Sequence, residues 1–167
     1  KGFVFKLSPN KEQKDLIIKN CGCVRYVYNQ MLCLIDFAHD YEIYPSKFDS
    51  IKHLTTLKKS HTFLKDAESS SLQQAIKHLF QAYKNKKNPK FKHKHDPKQS
   101  YTIVNNNNNI AVIGKKVKIP KLGLICFKQH RDFPVGAKIK SVTISYESNG
   151  NFYISFTVEY DFEEPKS

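Results

Sequence analysis

Apolar residues recur with the period of a helix between residues 17 and 83, and with the period of a strand on either side of that stretch. A lysine-dense run at 84–98, KNKKNPKFKHKHDPK, separates the helix-patterned part from the longer strand-patterned part. Helical stripes bury against other helices, whereas alternating strands bury one face of a sheet, so the two periods predict an α+β fold. The run between them cannot fold on itself. Its charges repel, it holds almost nothing apolar to bury, and it carries no carboxylate until Asp96. It therefore reads as an exposed basic crossing with one aromatic, Phe91, within it.

At 167 residues the chain is long enough for a real core, as one domain or two intimately packed ones. A net charge of +13 exceeds what solubility needs and points to a polyanionic partner. No apolar stretch is long enough to span a membrane and no segment resembles a signal peptide, so nucleic acid is favoured over a membrane. Of the 28 basic residues only Arg25 and Arg131 are arginine. Lysine neutralises phosphate as a point charge while arginine reads guanine edges bidentately, so the balance favours backbone tracking. Cys21 and Cys23, two apart in a helical stretch, point to different faces and make a poor metal pair; buried thiols are expected for the four cysteines. His93 and His95 read as solvated.

Residues 2–7 alternate as a strand that Ser8-Pro9 stops. Asn10 with Gln13 has capping-box spacing, and Ile17, Cys21, Val24, Tyr28, Met31, Ile35 and Ala38 form one helical stripe behind it. Arg25 and Asn29 lie on the opposite flank, available for outside contacts. Pro45-Ser46 opens a second helix with Phe48, Ile51, Leu54 and Leu57 as its apolar side. Ser69, Ser70 and Ser71 cap a third, with Leu72, Ile76, Leu79, Phe80 and Tyr83 buried and Gln73 and Lys77 off the stripe. After the crossing, short strands are expected at 101–104, 110–113, 117–119 and 124–127. Residues 105–109 are five asparagines, readable as a polar loop or as a row of amides that pair with adenine edges. Asn149-Gly150, between two alternating runs, predicts a hairpin with a two-residue turn.

Eight segments, in order, resemble the opening of the TnpB (OrfB) proteins of insertion sequences. The first two are Lys6-Leu7-Ser8-Pro9-Asn10-Lys11-Glu12-Gln13 and Gly22-Cys23-Val24-Arg25-Tyr26-Val27-Tyr28-Asn29. The helical part adds Leu54-Thr55-Thr56-Leu57-Lys58, Leu72-Gln73-Gln74-Ala75 and Ala82-Tyr83-Lys84-Asn85. Pro89-Lys90-Phe91-Lys92, Asn107-Asn108-Asn109-Ile110 and Ile119-Pro120-Lys121-Leu122-Gly123 complete the series. That family resembles the type V CRISPR effectors, and its members are RNA-guided DNA endonucleases.

The resemblance implies a small antiparallel OB-like β-barrel, the wedge domain, with a three-helix recognition bundle inserted after its first strand. Residues 1–9 would supply that strand, 10–88 the insertion, 89–161 the rest of the barrel, and 162–167 a linker towards a RuvC nuclease domain. The implied partners are a guide RNA and double-stranded target DNA with a short adjacent motif, in the cytoplasm and on the nucleoid when DNA is bound. The DNA motif would be read by Lys47 and Ile51, by Ser69, Ser70 and Gln73, and by Asn106 and Asn107. Lys47 stands where an aromatic is frequent in the family, and Ser69-Ser70 replace bulkier residues. Guide RNA would lie on Arg25, Lys84, Lys86, Lys87, Lys90, Phe91, Lys92 and Lys121, with affinity falling steeply as salt rises.

The family's nuclease centre is a carboxylate triad holding divalent metal. No GxDxG-like segment is present, and the chain ends where the strand bearing the first aspartate is expected. No catalytic residue, metal or cofactor is therefore expected in this chain, while the resemblance implies Mg2+ at a RuvC site and Zn2+ in a zinc ribbon of the parent protein. Two alternatives stay open: a nuclease-dead, RNA-guided transcriptional repressor, and a guide-independent basic DNA-binding transposase module of helix-turn-helix type.

Overall fold

A computed structural model describes residues 2–85 and 88–160; Lys86, Lys87 and the expected linker at 162–167 lie outside the described residues. The chain opens with strand β1 (Gly2–Ser8), whose alternation buries Phe3, Phe5 and Leu7 and exposes Val4 and Lys6. Helix α1 (Lys11–Asp40) follows without a break. Its expected capping box is formed: Gln13 N donates to Asn10 Oδ1 at 2.8 Å, and Asn10 N donates to Gln13 Oε1 at 3.0 Å. Its buried residues include the predicted stripe from Ile17 to Ile35 and also Asn20, Cys23 and Val27, so both Cys21 and Cys23 are inside. A helix buried on more than one face is one packed between neighbours.

Helix α2 (Lys47–Ser60) is capped by Ser46, buries Leu54 and Leu57, and leaves Phe48 65% exposed at its start. Phe48 is thus not on the buried side. A 3-10 turn, Thr62–Asp66, leads to helix α3 (Ser69–Lys84). The cap of α3 is Glu68, not the serines: its carboxylate accepts from Ser71 N at 2.8 Å and from Ser70 Oγ at 2.6 Å. Buried Asn20 ties this cap to α1, accepting from Glu68 N at 2.8 Å and donating to Ser71 Oγ at 3.0 Å.

Six strands follow: β2 (Lys98–Val104), β3 (Ala111–Ile113), β4 (Lys116–Ile119), β5 (Gly123–Lys128), β6 (Lys138–Glu147) and β7 (Phe152–Glu159). They make one antiparallel seven-stranded sheet in the order β2-β6-β7-β1-β5-β4-β3. The first strand sits in the middle of it, with Phe5 opposite Ile154 and Leu7 opposite Phe127. The three helices therefore stand between a central strand and an edge strand. Phe133, from the loop after β5, packs edge-on against Phe3, Phe5 and Phe156 with centroids 5.1–5.9 Å apart.

The antiparallel sheet is not closed, which corrects the expected barrel. Strands β2 and β3 are its two edges, yet only residues 105–110 join them, so the sheet curls until its edges approach. Closure fails for local reasons. Val104 N, at the end of β2, donates to Ser70 Oγ of α3 at 3.1 Å, and β3 is only three residues long. Asn107 and Asn108 take left-handed conformations (φ 53° and 58°), turning the chain in the gap where edge pairing would run.

The β6–β7 turn also differs from expectation. Glu147 N donates to Asn151 O and Gly150 N to Glu147 O, leaving three residues in the loop. Gly150 alone is left-handed (φ 86°), whereas a two-residue type I′ turn needs positive φ at both central positions.

Candidate nucleic-acid interface

The basic crossing is pinned by side-chain amides. Asn29, one flank of α1, makes a two-point contact with the backbone of Lys92: its Nδ2 donates to Lys92 O and its Oδ1 accepts from Lys92 N, both at 2.8 Å. Gln99 Nε2, buried at the start of β2, donates to His93 O at 2.9 Å and Asp96 O at 3.4 Å. Arg25 holds Gln99 in place, its Nη1 donating to Gln99 Oε1 at 3.2 Å. Asp96 accepts from His93 N at 2.9 Å, and Ser148 N donates to Pro97 O. Arg25 and Asn29, expected to be free for outside contacts, thus organise the crossing from below.

These bonds sort the lysines. Lys92 lays its ammonium over the Tyr28 ring, 4.4 Å from the centroid. Burial pushes its pKa down, with Asp96 partly opposing. Beneath it, burial pushes the Cys21 thiol up to about 12, against the fields of Arg25 and Lys92. Lys84, Lys90 and Lys94 are exposed, and Phe91 between them is 51% exposed. Lysines with a half-exposed ring among them offer phosphate contacts and a stacking surface together. Lys121 is exposed at the β4–β5 turn with φ 70°, and Gln13 joins α1 to this turn by donating to Leu122 O and Leu124 O.

A second polar surface lies at the other end of β2. The Ser70–Val104 bond sets the start of α3, which carries Ser69, Ser70 and Gln73, beside the end of β2, where the asparagine turn with Asn106 and Asn107 begins; Asn107 itself lines a cavity with Lys138 and Lys140. The turn itself consumes part of its polarity. Asn105 Nδ2 donates to Ile139 O at 2.7 Å, its Oδ1 accepts from Ile110 N at 3.2 Å, and Asn109 Oδ1 accepts from Asn106 N at 3.0 Å. Gln73 and the side chains of Asn106 and Asn107 remain exposed. Lys47 and Ile51 are not brought to this surface. Lys58, at the far end of α2, is the residue that reaches Ser69 (3.4 Å), about 16 Å along the helix from Lys47. Lys47 is exposed, Ile51 is packed against the core, and Asp49 shares their helix start.

Among the described residues, no group of three or more His, Cys, Asp or Glu side chains is placed to hold a metal. No helix of the described residues is long and apolar enough to cross a membrane.

Sequence reading missed Gln99, Lys94 and the anchoring role of Asn29. Gln99 left a trace: it occupies the core-facing phase of β2, with Tyr101 and Ile103, where an apolar residue is expected. A polar side chain in that phase needs buried partners.

Comparison with known proteins agrees with the eight-segment resemblance. Residues 1–39 match a family model of the OrfB/IS605 type, described as a helix-turn-helix domain. In this structure that stretch forms β1 and nearly all of α1, one uninterrupted helix, so its described residues contain no helix-turn-helix. A protein of Streptomyces pristinaespiralis named as an RNA-guided DNA endonuclease is 28% identical over 174 residues, covering 95% of this chain and 41% of the relative. The RNA-guided DNA endonuclease InsQ of Escherichia coli (strain K12) is 28% identical over 171 residues, covering 98% and 41%. The chain spans about two fifths of the length of these curated relatives. An OrfB/IS605 match at its start and two relatives named as RNA-guided DNA endonucleases along nearly its whole length make this chain similar to part of proteins of that name.

Proposed function

We propose that this chain is the nucleic-acid-binding part of a TnpB-type RNA-guided DNA endonuclease. The observation that carries the proposal is the pinned basic crossing, in a +13 chain similar along its length to such enzymes. Guide RNA binds along Lys84, Lys90, Phe91 and Lys94 and extends to Lys121, with Arg25 and Lys92 bracing the crossing from inside. The flanking DNA motif is read at the far end of β2 by the Ser69 hydroxyl and by Gln73, Asn106 and Asn107, whose amide groups suit adenine edges. Lys47 contributes a phosphate contact. The helices act as the recognition part and the curled sheet as the wedge, and DNA cleavage belongs to a metal centre elsewhere in the parent. The test is to express the parent with its genomic flanks, purify it and sequence the bound RNA. A discrete flank-encoded RNA supports the proposal. Binding of DNA with no such RNA favours a guide-independent module and overturns it.

A further inference from the structure

The crossing at 88–98 has the composition of a disordered segment, yet five hydrogen bonds from three side chains fix its backbone. Two of those side chains come from outside it, Asn29 on α1 and Gln99 on β2. The Asn29 contact is the more telling. One amide satisfies both the N–H and the C=O of Lys92, the job a neighbouring strand does in a sheet. Pinning residue 92 from below sets the phase of its neighbours. Lys92 lays its ammonium on the Tyr28 ring although the residue keeps exposed surface, Phe91 turns outward to 51% exposure, and Lys90, Lys94 and His95 are exposed around it. Without the clamp, like-charge repulsion would leave the run without one preferred shape.

We infer that Asn29 and Gln99 are positioning residues for single-stranded RNA, holding the crossing in the arrangement that presents Phe91 for base stacking between Lys90 and Lys94. The inference rests on the proposed reading of the crossing as an RNA-binding segment. A preformed loop binds without the ordering cost a disordered basic tail would incur, so the clamp contributes affinity without touching the RNA. Lys92 is then an anchor and makes no phosphate contact.

The test uses the full chain and a uridine-rich single-stranded RNA, with affinity measured over a range of salt and amide hydrogen exchange followed in the free protein. Asn29→Ala is expected to speed exchange across 90–96 and to weaken binding on the order of tenfold. The salt slope stays the same or steepens, because every phosphate-facing lysine remains and Lys92 is released. Asn29→Asp falls between, since it still accepts from Lys92 N but cannot donate to Lys92 O. Lys92→Met leaves the slope unchanged, whereas Lys90→Ala flattens it by about 0.7. Wild-type affinity in Asn29→Ala, or a flatter slope in Lys92→Met, overturns the inference alone. A wild-type chain that does not bind the RNA overturns the reading beneath it as well.

Discussion

The two ends of β2, about 20 Å apart, are both polar surfaces and are organised in opposite ways. At its start, amides from other elements hold the lysine crossing so that charge faces outward. At its end, the asparagines bond largely to backbone, and the amides and hydroxyls that face outward have lysines beside them: Lys58 reaches Ser69, and Lys138 and Lys140 line a cavity with Asn107 and Asn108. The first surface suits a phosphate backbone and should depend steeply on salt; the second offers base-reading amides with fewer lysines beside them and should depend on it less. A tract of five asparagines and a run of lysines look equally disordered as composition. The difference between them is which groups the fold has already used.

The largest effect expected from breaking this contrast is at the charged end. Lys90→Ala combined with Lys94→Ala should flatten the salt dependence of RNA binding by about 1.4, two phosphates at ~0.7 each. The same exchange should leave any DNA-motif preference intact, as a titration against duplexes of differing flank sequence would report.

At the amide end the architecture and the reading can be separated. Asn105→Ala removes two part-buried bonds and should cost about 1–3 kcal/mol, seen as a lower melting temperature. Asn107→Gly keeps the left-handed backbone while deleting the amide, so it should fold normally and relax motif preference. Asn107→Ala would confuse the two by adding about 1–2 kcal/mol of left-handed strain.

Cysteine labelling checks the packing beneath the crossing. Burial holds Cys21 protonated far into alkaline pH and raises Cys23 as well, so both should alkylate slowly in the native protein while exposed Cys33 and Cys126 react. The sign follows from the raised pKa. The stability Cys21 contributes is complete below its ordinary value of 9.0 and is lost as pH rises towards about 12. The smallest effect is at Gly22, in the middle of α1. An added Cβ would meet only Arg25 Nη2 at 3.6 Å, an ordinary contact, so Gly22→Ala should raise stability by up to about 1 kcal/mol and leave the clamp in place.

Periodicity made the elements legible because each one buries a single stripe or face. β1, α1, α3 and the β6–β7 pair follow their apolar patterns, and the caps at Asn10 and Ser46 form, whereas α3 takes its cap from Glu68 and α2 leaves Phe48 exposed. Open barrel closure was not legible, since it depends on a serine of α3 taking an edge N–H and on two left-handed asparagines. The three-residue turn at Asn149-Gly150 depended on the conformation of one residue that composition does not set. At the candidate site, charge marked where the lysines are but not which way each points. Lys92 is indistinguishable from Lys90 in the sequence, and only Asn29, 63 residues away, separates them.

If the crossing is a preorganised phosphate-binding surface, the salt dependence of RNA binding is where it shows. A preorganised surface gives the wild-type chain a steep log–log slope, flattened by Lys90→Ala and Lys94→Ala and untouched by Lys92→Met. A shallow wild-type slope, or equal losses at all three lysines, would contradict it.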